Sequence, residues 1–346
     1  MADPLISVTT KKSNAHISEG EKNVMTEQKK KVGVIGTGAI AQIAHFPVLA
    51  SMPEVEITAV YSRTFQNAER AASRWGAKKA CKTFAEFLDT ELDCAILLTP
   101  KTVRKEYLLP LLEHKLDVLC EKPLAMTLDE CALLADASIK SGQLLMVAFN
   151  RRFAPCNTRA LAAFGNKRPH LVIANKSREF KEFRGTLENA IHMVDLLRHI
   201  LGECESVEAR ALFTDPFYED ACTAQLGFKD GGIGLLVASR EAGQWREHIE
   251  MYGGGITAIS DNLDSYKVIY PDREEGQTMT PLNKGWCTVV HRLGFEDCIK
   301  HFFHCVKTRE KPLTCAEDAY KTHELMDRIL RAAGLPDLSR DWGSSK

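Results

Sequence analysis

The sequence lacks an excess of charge of either sign, and it lacks any long apolar run. Its 45 Lys and Arg residues are balanced by 46 Asp and Glu residues, which leaves a formal net charge of −1. Because this balance gives no general attraction for phosphate backbones, a generic nucleic-acid binder is excluded. No stretch of about 18 consecutive apolar residues occurs, so we expect neither a membrane-spanning helix nor a membrane partner.

Paired cysteine motifs and a secretory leader are also absent. The 11 cysteines are odd in number, and none forms a Cys-x-x-Cys pair. In a chain of this length the pattern indicates reduced thiols rather than a disulfide framework. The first residues contain no apolar segment followed by a small-residue cleavage site, so we expect no signal peptide. These features predict a cytoplasmic protein, and no group of ligand residues points to a metal site.

The length of 346 residues predicts two domains, at about 100–200 residues each. Hydrophobic residues make up 45% and charged residues 26%, which is typical of a globular chain. Residues 1–31 are polar and aperiodic, so we expect a disordered extension there. A change of pattern near residue 150 divides the remainder into domains over 32–150 and 151–340.

The two predicted domains differ in their strand pattern. Between residues 32 and 150, helical segments alternate with short apolar runs such as Val32–Ile35, Ile57–Tyr61 and Asp117–Cys120. Continuous apolar runs are typical of a parallel sheet with helices on both faces, so an α/β, doubly wound Rossmann-type domain is predicted. After residue 150, glycine-rich turns separate several of the predicted strands and few helices intervene, which predicts an α+β domain with a mostly antiparallel sheet.

The first apolar run leads into a glycine-rich turn that opens a helix. The turn reads Gly36-Thr37-Gly38-Ala39-Ile40-Ala41. The first glycine permits a tight turn, the second lets the backbone approach a pyrophosphate, and a small third residue lets the helix pack on the strand. The N–H groups at the helix start are suited to bind phosphate oxygens. The motif therefore predicts a dinucleotide site.

The end of the second apolar run indicates which dinucleotide is bound. An NAD site usually has Asp or Glu there, to accept hydrogen bonds from the ribose 2′-OH. This chain has Ser62, Arg63 and Thr64 instead, and its nearest acids, Glu54 and Glu56, lie at the other end of the strand. A guanidinium and hydroxyl groups suit a 2′-phosphate. We therefore predict a preference for NADP(H), with NAD(H) as the alternative.

A charged pair, Glu121-Lys122, follows directly on the strand predicted over Asp117–Cys120. Ligands of open α/β sheets bind outside the carboxyl ends of the strands. A lysine at that place is able to exchange a proton with a substrate oxygen. The alternative interpretation is a surface salt bridge.

Several motifs together resemble the Gfo/Idh/MocA oxidoreductase family. They are VGVIGTGAIA, the Thr99-Pro100 pair, VLCEKPLA over 118–125 and FNRRFAP over 149–155. Their order and spacing match over about residues 32–335, and the wording of FNRRFAP and AIHMVDLLR resembles an MviM-like subgroup. The resemblance implies a Rossmann domain followed by an α/β domain with a large open sheet, whose face often forms homodimers or homotetramers.

The resemblance also implies roles for individual residues. It places Lys122 beside the nicotinamide and the reacting oxygen, Glu121 near the nicotinamide ribose, and Thr99 and Pro100 along the cofactor cleft. We also assign Arg152, in the FNRRFAP motif, to the cofactor site. The substrates implied are sugars, cyclitols and related secondary alcohols or ketones.

A third set of candidates lies on a helix predicted over about 187–201. Glu188, His192 and Asp195 share one face of it, and the resemblance implies that His192 and an acidic partner take part in catalysis. We expect His192 to exchange a proton near neutral pH. Glu188 stands where the family usually has Asp, so Asp195 is the alternative acidic partner. Arg104 stands where many members have His, which predicts a different substrate group.

A basic segment precedes this helix. Its cations are Lys167, Arg168, Lys176, Arg178, Lys181 and Arg184. We hypothesise that some of them, Arg178 and Arg184 above all, bind a phosphate or carboxylate on the substrate. The alternative is a solvated basic edge.

The leading interpretation is thus an NADP(H)-dependent oxidoreductase acting on a sugar-like hydroxyl or keto group. Two others remain open. One is an enzyme with a tightly held cofactor that performs internal redox exchange or glycoside cleavage. The other is a non-catalytic NADP(H)-binding sensor or partner protein.

Overall fold

The computed structural model describes residues 28–179, 189–213, 219–279 and 289–334. They form a parallel six-stranded sheet with helices, followed by a mostly antiparallel eight-stranded sheet. The predicted fold class is therefore confirmed. None of the helices in these ranges combines the length and apolar character needed to cross a membrane.

The first sheet is doubly wound. Its strands are β1 Lys30–Ile35, β2 Val55–Tyr61, β3 Lys79–Cys81, β4 Cys94–Leu97, β5 Asp117–Cys120 and β6 Leu145–Val147. The spatial order is β3-β2-β1-β4-β5-β6, and all pairs are parallel. The direction of winding reverses between β1 and β4, which opens a crevice at the carboxyl ends of these strands. The first strand begins at Lys30, two residues earlier than predicted.

Helices cover both faces of this sheet. They are α1 Phe46–Ser51, α2 Phe65–Trp75, α3 Phe84–Leu88, α4 Arg104–Glu113 and α5 Leu128–Ser141. A π-helical turn, Ala41–His45, precedes α1, and short 3₁₀ turns span Lys101–Val103 and Asn150–Phe153. Local sequence determines the ends of α5, because the Thr127 hydroxyl accepts the Glu130 N–H and Gly142 takes the left-handed conformation at its end.

The second sheet has strands β7 Leu171–Ser177, β8 Cys204–Phe213, β9 Glu219–Phe228, β10 Ile233–Ser239, β11 Arg246–Gly253, β12 Ile256–Asp261, β13 Ser265–Ile269 and β14 Glu274–Thr278. Their order is β14-β13-β12-β11-β7-β10-β9-β8. Alternate side chains of β10 are buried against a helix, whereas Ile233, Leu235 and Val237 lie on the other, more exposed face.

The helices of the second half are α6 Pro155–Ala162, α7 Ile191–Leu201, α8 Val289–Arg292, α9 Phe295–Thr308 and α10 Ala316–Ala332. Gly234 of β10 lets α7 approach the sheet, since a Cβ there would lie 3.1 Å from Leu197 Cδ2. Helix α9 returns to the first domain, where Phe302 packs in one cluster with Val32 and Phe46. The predicted boundary at residue 150 thus separates the sheets but not the helices.

Candidate cofactor and active-site cleft

A single cleft of about 1130 Å³ runs along the carboxyl ends of the first sheet and continues to the second domain. It brings together most of the candidate residues predicted from the sequence. These are Gly36, Thr37, Gly38, Ile40, Ser62, Arg63, Thr64, Thr99, Pro100, Glu121, Lys122, Arg178 and His192. Ala39 and Ala41 belong to the same turn and helix but do not line the cleft.

The glycine turn has the geometry that a nucleotide phosphate needs. Gly36 has a φ of +96°, and a Cβ there would lie 2.8 Å from the carbonyl oxygen of Leu98. Gly38 lines the cleft, and a Cβ there would meet no protein atom within 4 Å, so its backbone is open on the cleft side. Ala41, the first residue of the π-helical turn, is fully buried. The Oγ1 of Thr99 is buried in the cleft wall with no hydrogen-bond partner among the described residues. These features fit a dinucleotide.

The end of the cleft beyond β2 is polar and basic. Arg63 and Thr64 are exposed there, beside Ser62 and Asn67. Within the described part of the chain, Arg63 forms no ion pair with a carboxylate. Among these residues, no carboxylate thus competes with a ligand for the guanidinium.

Lys122 lies at the other end of the cleft, just after β5. Burial lowers its pKa to about 8; the carboxylate of Glu121 opposes this change, and Arg151, Lys101 and Arg104 add to it. An amine with this pKa exchanges protons readily near neutral pH, which an ordinary lysine does not.

Arg104 belongs to the cleft lining, and its side chain contacts the main chain on both sides of the site. Its side chain is 2% exposed, and its two terminal nitrogens donate to the main-chain carbonyls of Thr99, at 2.8 Å, and of Pro123. Its side chain therefore links the main chain at Thr99 to the main chain at Pro123, the residue after Lys122. Two of its donors are thus directed at the backbone, and the prediction that this site binds a different substrate group stays a prediction.

His192 enters the cleft from α7, with its ring edge-to-face against Phe149 at 6.4 Å. Burial lowers its pKa well below the ordinary value, and the charges of Lys122, Arg151 and Lys176 act in the same direction. The imidazole is therefore neutral at physiological pH, and the expectation that it titrates near neutrality does not hold. Glu188 and Arg184 lie outside the described residues, so their predicted roles stay predictions.

Asp195 and Arg152 pair with each other away from the cleft. Arg152 Nε and Nη2 donate to the two oxygens of Asp195 at 2.7 and 2.5 Å, and Nη2 also contacts Asp318 at 2.6 Å. Asp195 is fully buried and also accepts from Thr322. Neither lines the cleft. The structure thus places both in a buried ion pair that joins the 3₁₀ turn Asn150–Phe153 to α7, and not with the cofactor or the reacting atoms as predicted.

The neighbouring arginine, Arg151, lines the cleft instead. Its Nε and Nη2 donate to Glu247 of β11 at 2.8 and 2.7 Å, and Lys176 Nζ contacts the same carboxylate. Trp245 Nε1 donates to it at 3.0 Å. These four residues are here called the Glu247 cluster; Lys176 was among the cations named from the sequence, whereas Arg151, Trp245 and Glu247 were missed. The only signal was the Arg151-Arg152 pair, and which arginine faces the cleft depends on the 3₁₀ turn Asn150–Phe153.

The basic segment divides between cleft and surface. The Arg178 guanidinium lies 4.4 Å from the centre of the Trp245 ring, and both side chains line the cleft. Lys176 is buried in the Glu247 cluster, while Arg168 is exposed and pairs with Asp230 at 3.0 Å. Lys181 lies outside the described residues, as does Arg184. Arg178 is thus the described cation of this segment that best fits the hypothesis of an anionic substrate.

In comparison with known proteins, both domains match sequence models of the same protein family. Residues 30–149 match the sequence model described as an oxidoreductase family with an NAD-binding Rossmann fold, and residues 162–257 match its GFO/IDH/MocA C-terminal domain. The chain is 24% identical to the protein named YceM of Salmonella typhimurium over an alignment of 310 residues. This alignment covers 88% of this chain and 98% of that protein. It is 25% identical over 313 residues to the myo-inositol 2-dehydrogenase of Thermotoga maritima, covering 83% and 91% of the two chains. The solved structure of the dehydrogenase MviM from Clostridium difficile shares the fold, with a TM-score of 0.80 at 22% identity over 88% of this chain and 100% of that chain.

Proposed function

The chain belongs to the Gfo/Idh/MocA family of oxidoreductases, and on that basis we propose that it transfers a hydride between NADP(H) and a hydroxyl or keto carbon of an anionic, sugar- or cyclitol-like substrate. The observation that carries the proposal is the position of Lys122. This lysine, with a pKa lowered to about 8, shares one cleft with the glycine turn at Gly36 and with His192. The naming of a relative as myo-inositol 2-dehydrogenase supports the substrate class.

The residues of the cleft have different roles in such a reaction. The nicotinamide, when bound, supplies or receives the hydride. Lys122 moves the proton of the substrate oxygen, since both of its protonation states are accessible near neutral pH. The neutral His192 binds the same oxygen by a hydrogen bond, and it adds no further charge to a region that already holds Lys122, Arg151 and Lys176. Glu247 Oε1 contacts both Arg151 and Lys176, and Glu247 Oε2 accepts a second hydrogen bond from Arg151, so the carboxylate holds these two cations in place.

The direct test follows nicotinamide absorbance while a panel of sugars and cyclitols, neutral and acidic, is offered with NADP⁺ or NADPH. A substrate-dependent change with at least one member is expected. A folded, cofactor-binding protein that turns over no member in either direction would contradict the proposal.

Arg63 gives the prediction about the cofactor. Changing Arg63→Ala should weaken NADPH binding by about 10–100-fold, because hydrogen bonds to a charged group contribute about 1.5–3 kcal/mol and each 1.4 kcal/mol is tenfold. NADH affinity should stay nearly the same. The measurement is calorimetric titration of both nucleotides. Arg74→Ala removes the same charge from α2 outside the cleft and is the control. Tighter binding of NADH than of NADPH by the unchanged protein would refute the preference.

Arg178 gives the prediction about the substrate. Its guanidinium is held on the Trp245 ring, so it is already oriented to bind a carboxylate or phosphate. Arg178→Gln should raise KM for acidic or phosphorylated sugars by about 10–100-fold, with little effect on neutral ones. Arg168→Gln, in the same segment but outside the cleft, is the control. Equal kcat/KM for neutral and acidic substrates in the unchanged protein would exclude the anionic class.

A further inference from the structure

The helix that follows the glycine turn is interrupted by a π-helical turn, Ala41–His45. Such turns contain an extra residue and often lie at functional sites. Here the turn carries His45, which is fully buried, with its ring edge-to-face against Phe295 at 5.7 Å. His45 does not line the cleft. It therefore touches neither substrate nor cofactor, and any effect it has on the reaction passes through a neighbouring residue.

That neighbour is Glu121, the residue before Lys122. His45 Nε2 lies 2.8 Å from Glu121 Oε1, and Glu121 Oε2 accepts the main-chain N–H of Lys122 at 3.2 Å. Burial alone would raise the pKa of Glu121. The hydrogen bond from His45, together with the charges of His45, Lys122 and Arg104, reverses this and lowers the pKa below the ordinary value. Glu121 is thus an ionised carboxylate, which only accepts, so His45 Nε2 carries the proton of this hydrogen bond.

The charge of Glu121 matters because the other charged groups that shift the pKa of Lys122 most are cations. Burial lowers the pKa of Lys122, and the charges of Arg151, Lys101 and Arg104 lower it further. Glu121 is the neighbour that raises it. If Glu121 were neutral, Lys122 would lose its anionic partner and would hold its proton less firmly.

We propose that His45 is a positioning residue for the reaction: its hydrogen bond keeps Glu121 ionised and oriented beside Lys122, so that the lysine can take up and release the substrate proton. This inference rests on the proposed function for its link to turnover. It also connects the helix that starts at the cofactor turn with the loop that carries the reacting amine.

The test compares His45→Leu, which cannot donate, with His45→Gln, whose amide keeps a donor. The H45L change should lower kcat by about 10–100-fold with a smaller effect on KM. In the pH profile of kcat/KM, the limb due to Lys122 should move below pH 8 in H45L. H45Q should restore most of kcat and return the limb towards its original position. A kcat and pH profile unchanged in H45L would overturn the proposal.

A second readout needs no turnover. Lys122 in the cofactor-free protein is modified with an amine reagent across a pH series, and the modified peptide is quantified by mass spectrometry. The midpoint of Lys122 modification, expected near pH 8 in the unchanged protein, should move to lower pH in H45L and in Glu121→Gln. The double variant should show no further fall, because His45 acts through Glu121. A midpoint that does not move in H45L would refute the positioning role.

The two readouts separate this inference from the proposed function. If the unchanged protein turns over no substrate while the midpoint still falls in H45L, the positioning role stands and the oxidoreductase proposal fails. Thermal unfolding confirms that each variant is folded. Should H45L not fold, His45→Asn, whose shorter amide does not reach Glu121, provides the same comparison.

Discussion

Replacing Lys122 with methionine is expected to lower kcat by about 10²–10⁴-fold, the usual contribution of a positioned proton-transfer group. Methionine keeps the length and apolar character of the side chain but cannot exchange a proton. NADPH affinity should change by only a few-fold, because the glycine turn follows β1 and Arg63 follows β2, whereas Lys122 follows β5. Steady-state turnover and nucleotide titration measure the two effects separately.

The matched control is Lys105→Met, which removes an equal charge from a surface residue that pairs with Glu130. It should leave kcat within about twofold, as is usual for surface changes away from the site. A Lys122→Met protein with undiminished turnover would assign proton transfer to another group. If no turnover exists and cofactor-dependent behaviour survives the change, the non-catalytic sensor, which the sequence left open, becomes the better interpretation.

The pH dependence of the unchanged protein follows from the same lysine. In the oxidation direction Lys122 must be neutral to accept a proton, so activity should rise with pH and level off above about 8. In the reduction direction the lysine must be protonated, so activity should fall above the same value. If the two pH–activity profiles slope in opposite directions and share a midpoint, one group acts in both directions. Profiles that both rise or both fall with pH would contradict this role for Lys122.

Changing Glu247→Gln is expected to lower the free energy of unfolding by about 3–5 kcal/mol, the usual result of removing one partner of a buried ion pair. The carboxylate is 1% exposed and contacts Arg151, Lys176 and Trp245. Lys176 can lose its proton when its partner is gone, but Arg151 cannot. Most of the loss therefore comes from the guanidinium left without a counter-charge. Denaturant unfolding measures it.

The control for Glu247 is Glu250→Gln, on the same strand but on the more exposed face of the sheet. It should change stability by less than about 0.5 kcal/mol. The pKa of Glu247 is lowered in the folded protein, mainly by Arg151 and Lys176 against the effect of burial. Its contribution to stability is therefore complete above the ordinary value of 4.5 and is lost as pH falls towards the folded value. As pH is lowered, the stability difference between the unchanged protein and the Glu247→Gln variant should thus narrow only in acid. A difference that already narrows near pH 6 would contradict this.

The sequence by itself determined the features that depend on neighbouring residues. The fold class follows from apolar runs that alternate with helical segments. The glycine turn follows from Gly36 and Gly38, since only glycine fits a φ of +96° against the Leu98 carbonyl. Lys122 was found because it directly follows a buried strand, and such strands in a parallel sheet end at the ligand crevice.

Only the tertiary structure decided which charged groups meet. Asp195 shares a helix face with His192 in the sequence pattern, yet it pairs with Arg152 and lies outside the cleft. Arg151, Glu247 and His45 carried no distinct signal, because their partners are 96 and 76 positions away in the chain. A buried charge must find a counter-charge wherever the fold provides one. Periodicity within one segment cannot show which distant segment supplies it, and that is why the electrostatics of this cleft became visible only in the folded chain.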